Sequence, residues 1–326
     1  MKKMVASKCI VLAALLVAAP AHAQTAQNYP SKQIRLITPF PPGATTDALS
    51  RIIGQKMQES WGQNVLVDNR AGATGLIGTD LAAKSAPDGY TLVNVISSHV
   101  VHHHLFKKVP FDALKDFEPV ILLARVTNVL VVHPSVPAKN VKEFIAFAKA
   151  RGTGLVYGTS GTGSSNHLSA EMFKQVTGIR MEHIPYKGGA PAVNDLIGGQ
   201  IPVMMASLLT GAPHARAGKV NALFVTSAKR QKLLPDTPTL QESGFAGFEA
   251  DEWWAILVPA GTPKDIIAKL NTEITRIFEL PDVKERIVNL GIEYIGGTSD
   301  GLGKFMRNEM AKYDKIIKNA GIKPEG

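Results

Sequence analysis

Short strand-like runs recur along the chain with helical patterns between most of them, and this alternation restricts the possible folds more than any other feature. The runs lie at residues 65–68, 91–96, 120–124, 129–132, 155–159, 181–185, 203–206, 222–226 and 254–258. Two parallel strands need a long crossover connection, which is usually a helix, so the alternation is typical of α/β proteins. It predicts an α/β fold with mainly parallel sheets.

Two breaks in this alternation divide the chain. Residues 120–132 read as one strand, a polar break at 125–128 and a second strand. Another break follows the Gly/Pro-rich segment 235–247 and precedes Trp253. About 300 residues are enough for two domains of ordinary size, so two crossings would leave one of them discontinuous. The predicted first lobe comprises residues 24–126 and 250–326, and the predicted second lobe comprises residues 127–249.

The first 23 residues have the features of a secretory signal peptide. Lys2, Lys3 and Lys8 accompany an apolar segment at 10–19, and Ala21-His22-Ala23 has the small–x–small pattern of a cleavage site. The apolar segment is shorter than a membrane span, which disfavours the alternative of an uncleaved anchor. We therefore expect cleavage after this pattern and export to the periplasm of a Gram-negative bacterium.

The composition excludes several classes of protein. Cys9 is the only cysteine and lies before the apolar segment, so the mature chain is neither a lipoprotein nor a disulfide scaffold. Removal of three signal lysines leaves 33 of the 36 basic residues against 27 acidic ones, a net charge of +6. The basic residues are scattered and aromatic residues make up only 6%, which does not favour nucleic acid binding. No later apolar run reaches membrane length, so we expect a soluble monomer.

Residues 34–61 read as a strand, a rigid loop and the start of a helix. Three prolines between positions 39 and 42 stiffen the loop, and Gly43 supplies the freedom for a turn. Thr45, Thr46 and Asp47 are residues typical of a helix start. Because backbone N–H groups at a helix N-terminus have no partner within the helix, this segment is a candidate anion site. The alternative is an ordinary turn in which the carboxylate only caps the helix.

Residues 159–168, TSGTGSSNHL, form a second segment of this kind after the run 155–159. Asn166 occupies the place of the third glycine of a dinucleotide-binding motif, and no Gly-Lys-Ser/Thr of a phosphate-binding loop follows. The Gly-x-Ser-x-Gly pattern of a serine hydrolase is also missing. His167 follows this segment and offers either a capping group or an imidazolium that assists ligand binding. The candidate ligand contacts here are Ser160, Gly161, Thr162, Gly163, Ser164 and Ser165.

Three adjacent histidines, His102, His103 and His104, suggest a metal site at first sight. Neighbouring positions do not share a helix face and no partner spacing is evident, so a solvated helix face is the better interpretation. No set of acid, base and nucleophile can be recognised either. We therefore predict no metal, no cofactor and no catalytic residue.

An ordered set of motifs covers nearly the whole mature chain. The motifs are PFPPG-x-x-x-D (39–47), VDNRAGATGLIG (67–78), PDGYTL (87–92), KDFEPV (115–120), VHPSVPAK (132–139), PYKGGAPA (185–192), VTSAKR (225–230), LPDTPTL (234–240) and PAGTP (259–263). This set resembles the Bug receptor family, the periplasmic solute-binding proteins of tripartite tricarboxylate transporters. The resemblance implies a two-lobed fold of the Venus-flytrap type (type II-like) with a central cleft.

The resemblance also implies a ligand and a partner. Receptors of this family hold a small organic carboxylate between their lobes and deliver it to a transporter made of two integral membrane proteins. The ligand contacts carried over from the family motifs are Gly43, Ala44, Thr45, Thr46 and Asp47, together with Ser160 to Ser165. The family usually has Gly-Gly where this chain has Gly43-Ala44. Trp253 matches the family's recurrent tryptophan before the PAGTP turn.

The predicted function is therefore the binding of a small carboxylate without chemistry. Specificity is expected from side chains between the two loops, for which the candidates are Phe40, Ser97, Ser98, Ser207 and Trp253. Two alternatives stay open at this point. One is a periplasmic, esterase-like enzyme on the same fold, and the other is a receptor that presents its ligand to a signalling protein.

Overall fold

The computed structural model of the chain describes residues 28–289 and 292–320, so the predicted signal peptide lies outside the described residues. The strands are β1 (Ile34–Thr38), β2 (Val65–Asn69), β3 (Thr91–Ile96), β4 (Phe117–Val126), β5 (Asn128–Val132), β6 (Val156–Thr159), β7 (Glu182–Pro185), β8 (Val203–Ser207), β9 (Asn221–Val225), β10 (Glu252–Pro259) and β11 (Glu293–Tyr294). The helices are α1 (Thr45–Trp61), α2 (Leu76–Ala83), α3 (His102–Leu105), α4 (Val141–Arg151), α5 (Ser165–Thr177), α6 (Gly189–Ile197), α7 (Leu208–Arg216), α8 (Lys264–Glu279), α9 (Pro281–Asn289) and α10 (Ser299–Ala320).

The first sheet has the strand order β11-β4-β10-β3-β1-β2 and separates two apolar clusters. Successive residues of a strand point to opposite faces, and β10 shows this clearly. Trp254 and Ile256 pack with α1, α8 and α9, whereas Trp253 and Ala255 pack with α2, α3 and α10. Both faces of the sheet are therefore covered by helices, and the central strand β10 is buried from Trp253 to Pro259.

The second sheet has the order β7-β6-β8-β5-β9. Leu130 and Met205 lie on the face that packs against α4 and α5, and Val129 and Met204 lie on the face that packs against α6 and α7. The chain passes from the first sheet to the second at Thr127, between β4 and β5, and returns between β9 and β10.

Both sheets are mixed, which corrects the expectation of mainly parallel sheets. The pairs β1–β2, β1–β3, β6–β7 and β6–β8 are parallel. The strands next to the crossings, β4, β5 and β10, pair antiparallel with their neighbours. A strand that enters its sheet from the other sheet does not need a helical crossover, so it can run in either direction. Among the described helices, none combines the length and the apolar character needed to cross a membrane.

Candidate functional site

Three loops of the first sheet lie together at the ends of the parallel strands β1, β2 and β3. This is where open α/β sheets bind ligands, since helix N-termini and loops meet there. The Asn69 amide donates to the Phe40 carbonyl over 3.0 Å, and the Phe40 ring lies close to Gly75. Ser98 donates to the Thr74 carbonyl over 3.2 Å. The sequence-predicted Phe40, Ser97 and Ser98 are thus adjacent to a third loop, residues 70–75.

The loop at residues 70–75 was missed as a candidate site by the sequence reasoning. Ala73 and Thr74 have φ values of 47° and 54°, a backbone conformation that residues other than glycine rarely adopt. Such strain accumulates at ligand-binding sites, where the surrounding contacts maintain it. The available signal was the segment Gly-Ala-Thr-Gly between a strand and a helix, which belongs to one of the family motifs.

The loop before α1 is held by Asp47. Its carboxylate accepts hydrogen bonds from the Gly43 N–H over 2.9 Å, from Arg51 over 2.9 Å and from Asn69 over 3.0 Å. Burial alone would raise the pKa of Asp47, but these hydrogen bonds outweigh it and hold the pKa below its usual range. Asp47 is therefore ionised and stabilises the loop by hydrogen bonds. The Gly43 N–H already has Asp47 as its acceptor.

Other backbone N–H groups at the start of α1 are available to donate hydrogen bonds to a ligand. The N–H groups of Thr45 and Thr46 have no acceptor within the described part of the chain. The Thr46 hydroxyl accepts from the indole N–H of Trp254 over 2.9 Å, and the Thr46 carbonyl accepts from Asn94. The first turn of α1 is thus fixed against β10, with its N–H groups and positive dipole end directed out of the helix.

The loop before α5 has a similar construction in the second sheet. Gly161 and Gly163 have φ values of 140° and 73°, which lie in the region that favours glycine. The Ser164 hydroxyl donates to the Gly161 carbonyl over 2.7 Å and accepts from the His167 N–H over 3.3 Å. The N–H groups of Ser165 and Asn166 have no acceptor among the residues that the structure describes.

The buried side chain of His167 supports the loop before α5. Its Nδ1 accepts the N–H of Gly163 over 3.1 Å, which requires an unprotonated nitrogen. Its ring stacks on that of His183 with centroids 3.8 Å apart. Burial lowers the pKa of His167 to about 4, with a smaller contribution from Lys174. His167 is neutral near pH 7 and buried, so it supports the loop and supplies no positive charge there.

Two further loops of the second sheet join this site. Ser207 caps α7 by accepting from the Thr210 N–H over 3.3 Å, and Gly189 at the start of α6 lies against Thr210. The Gly188 N–H donates to the Ser160 carbonyl over 3.1 Å. The loop 186–189 therefore contacts the loop at residues 160–164, although the sequence reasoning did not assign it to the site.

A chain of buried amides links the second loop to both crossings between the sheets. Ser160 donates to the side-chain oxygen of Asn166, and the Asn166 amide donates to Asn128 over 2.7 Å. The Asn128 amide then donates to Ser169 over 2.9 Å and to the Ala250 carbonyl over 3.0 Å. A change at Ser160 is thereby connected through packed polar groups to residues 128 and 250.

The second loop also contacts the first sheet directly. A Cβ atom at Gly163 would lie 2.8 Å from the side chain of Leu105, at the end of α3. The Ser165 hydroxyl donates to Glu252 over 3.4 Å, at the start of β10. The helix starts of α1 and α5 are thus both anchored near the beginning of β10.

Two sequence-predicted features lie elsewhere. Trp253 is 1% exposed, packs on Phe305 and donates its indole N–H to Glu309, so it belongs to the core below the sheet and not to these loops. His102 is buried and not on a solvated face, and burial lowers its pKa to about 4.

The other two histidines share a partner at the surface. His103 and His104 both lie within 3.0 Å of one oxygen of Asp314. These three side chains present the spacing of metal ligands. The groups are partly exposed and also account for each other as hydrogen-bond partners.

Comparison with known proteins gives the family. Residues 49–322 match the sequence profile described as "Tripartite tricarboxylate transporter family receptor" (TctC). The chain belongs to this family. The protein BugT of Bordetella pertussis is 36% identical over 325 residues and covers 99% of each chain. The resemblance inferred from the ordered motifs is thereby confirmed.

Solved structures of similar proteins confirm the two-lobed α/β fold. Rpa4515 of R. palustris, whose structure contains adipate, is 35% identical with a TM-score of 0.77, and the match covers 91% of this chain and 100% of that one. MatC of Rhodopseudomonas palustris, whose structure contains malate, is 28% identical with a TM-score of 0.72 over 89% of this chain and 100% of that one. The chain itself is a solute-binding receptor of the TctC family.

Proposed function

We propose that this receptor binds a small organic carboxylate in the periplasm, between two lobes, and delivers it to a transporter of two integral membrane proteins. The observation that carries the proposal is the pair of helix starts at α1 and α5. Each belongs to a different sheet, and each has two successive backbone N–H groups without an acceptor in the described chain. A carboxylate has two oxygens that accept such hydrogen bonds.

The electrostatics of the two helix starts favour an anion. Both helices direct the positive end of their dipoles to the site, and hydrogen bonds from neutral donors to an ionised acceptor are stronger than those between neutral groups. No arginine or lysine is required for this mode of binding. Adipate in Rpa4515 and malate in MatC support the ligand class.

The proposed lobes are residues 24–126 with 250–326, and residues 127–249. The passage of the chain at Thr127 and the return before β10 support this division. Closure about these two segments would bring the α1 and α5 starts to the same ligand, so the ligand would favour the closed state.

A thermal-shift screen of the mature protein tests the proposal. The probes are straight-chain dicarboxylates of three to six carbons, and the controls are the diamides of the same chain lengths. A carboxylate at 100 times its dissociation constant should stabilise the folded state by about 2.7 kcal/mol, which raises the melting temperature measurably. The diamides should have no effect, because they lack the charge that the helix dipoles favour. Equal shifts with acids and diamides would contradict an anion site.

A further inference from the structure

Glu252 is an acidic residue between the two helix starts, and the carboxylate-binding role proposed above does not use it. Its carboxylate accepts from Ser165, the first residue of α5, over 3.4 Å. On β10 it is two positions from Trp254, whose indole donates to Thr46 in the first turn of α1. Residues two apart on a strand point to the same face, so Glu252 faces the side on which α1 begins.

The surroundings of Glu252 lack a balancing positive charge. Arg125, on the neighbouring strand β4, pairs with Glu249, and Lys312 on α10 pairs with Glu309. The nearby Asp251 carboxylate accepts from Thr226, and Tyr313 is the titratable group that faces this region from α10. No ion pair of the described residues includes Glu252. The residue nevertheless keeps a limited opening to solvent.

The Glu252 carboxyl group is partly buried, and no cation of the described residues lies close enough to affect its charge. Burial raises the pKa of Glu252 to about 7, against the opposing effect of the hydrogen bond from Ser165. An enclosed acid without a cation is unfavourable when it is ionised, unless a ligand supplies the missing charge or donor.

We propose that Glu252 contacts the ligand and selects carboxylic acids that carry an ammonium or a hydroxyl group near the carboxylate. The two helix starts offer only donors, which fit the carboxylate of the ligand. Glu252 offers the complementary acceptor beside them. An ammonium group would meet a carboxylate that no cation of the described residues pairs with, whereas a methylene group in the same place would leave Glu252 with the Ser165 hydroxyl as its one described donor. This inference rests on the proposed carboxylate-binding function and adds the substrate class.

The opposite arrangement would use Glu252 in its protonated form. A neutral carboxyl group donates a hydrogen bond and would then suit a second carboxylate of a simple diacid. The two arrangements differ in their response to pH. Binding of an amino acid through ionised Glu252 strengthens as the pH rises from 6 to 8, whereas binding of a simple diacid through protonated Glu252 weakens over that interval.

Titration calorimetry with matched ligands distinguishes these arrangements. Succinate, malate and aspartate share one skeleton and carry a hydrogen, a hydroxyl or an ammonium at the same carbon, and adipate with 2-aminoadipate forms a longer pair. We expect the ammonium ligand of a pair to bind at least 10-fold more tightly than the unsubstituted acid. Glu252→Gln should reduce this preference to less than 3-fold, because the amide cannot supply the negative charge.

The control variant is Glu249→Gln, which removes an acid of the same segment that pairs with Arg125. It should leave the preference unchanged, and the melting temperatures of both variants report that they are folded. An equal preference in wild type and Glu252→Gln would overturn the inference, as would tighter binding of the unsubstituted acid that weakens from pH 6 to pH 8. If none of these acids binds, the proposed function itself fails, and the inference fails with it.

Discussion

At the scale of single residues, His167 connects the shape of a ligand loop to pH. Its Nδ1 accepts the Gly163 N–H, so the folded protein holds the neutral imidazole, and burial lowers its pKa to about 4. An unfolded histidine has a pKa near 6.5. Between these values His167 binds a proton in the unfolded state but not in the folded state. The contribution of His167 to the free energy of unfolding is therefore complete above pH 6.5 and is lost as the pH drops towards 4.

The expected effect of His167 on acid stability is large. A shift of this size corresponds to roughly 3 kcal/mol of unfolding free energy. The His167→Gln variant keeps an acceptor for the Gly163 N–H but does not titrate. Between pH 7 and pH 4.5, wild type should therefore lose about 2 kcal/mol more stability than this variant. Urea unfolding at the two pH values measures the difference. Equal losses in the two proteins would show that His167 is not the neutral acceptor described here.

The Trp254 indole gives a second prediction for a single side chain. Thr46→Val keeps the shape of the side chain but removes the acceptor for the buried indole N–H. An unsatisfied buried donor costs about 1–3 kcal/mol, which urea unfolding should detect. Thr262→Val is the matched control, since within the described part of the chain the Thr262 hydroxyl bonds only to the nearby Pro259 carbonyl. A smaller loss for Thr46→Val than for the control would contradict the role of this contact in fixing α1.

Sequence reasoning predicted the local structure of the candidate site better than its long-range contacts, for a physical reason. The turn at Gly43 and the helix cap at Ser164 were predicted because turns and caps depend on local backbone conformation, which residue types report. Glu252 and Trp253 are neighbours on β10, and only the packing of helices on both faces decides which of them reaches the loops. That packing depends on residues distant in the chain, and in the structure it places Trp253 in the core.

At the scale of elements, helix α1 has a positive-φ glycine two positions before its first residue and another directly after its last. Gly43 has a φ of 84° and Gly62 a φ of 66°, and a Cβ atom at either position would meet nothing within 4 Å. Alanine at each position should therefore destabilise the fold by a similar 1–2 kcal/mol, approximately, from backbone strain alone. This makes the two positions a matched pair.

Only one of these variants should affect binding. Gly43→Ala changes the loop whose shape Asp47 maintains, and so displaces the N–H groups of Thr45 and Thr46. Gly62→Ala lies at the opposite end of the helix. Calorimetry with the best carboxylate of the screen should show a clear affinity loss for Gly43→Ala and none for Gly62→Ala. Equal affinities would mean that the start of α1 does not hold the ligand.

The sheets show what an element pattern can predict. Their alternation with helices gave the α/β class, and the polar break at 125–128 marked the passage at Thr127. The antiparallel direction of β4 and β10 was not predicted, because a single strand carries no sign of its partner's direction. The two-residue strand β11 is too short for any pattern.

At the scale of the whole molecule, Gly163 lies where the second loop meets the first sheet. Gly163→Ala would press a Cβ atom against Leu105, so it should oppose closure of the lobes. Leu105→Ala removes the opposing side chain, and the double variant should recover part of the lost affinity. Small-angle scattering with saturating ligand should show a smaller radius of gyration for wild type than for Gly163→Ala. Similar radii and affinities for both proteins would contradict closure at this contact.

The central claim is that backbone N–H groups of two helix starts hold the carboxylate, and amide NMR tests it most directly. The amide resonances of Thr45, Thr46, Ser165 and Asn166 should shift downfield together during titration with a bound carboxylate, at one dissociation constant. The amides of Val141 and Lys142, at the exposed start of α4, should stay in place. Shifts confined to other amides, or to only one of the two helix starts, would contradict the claim.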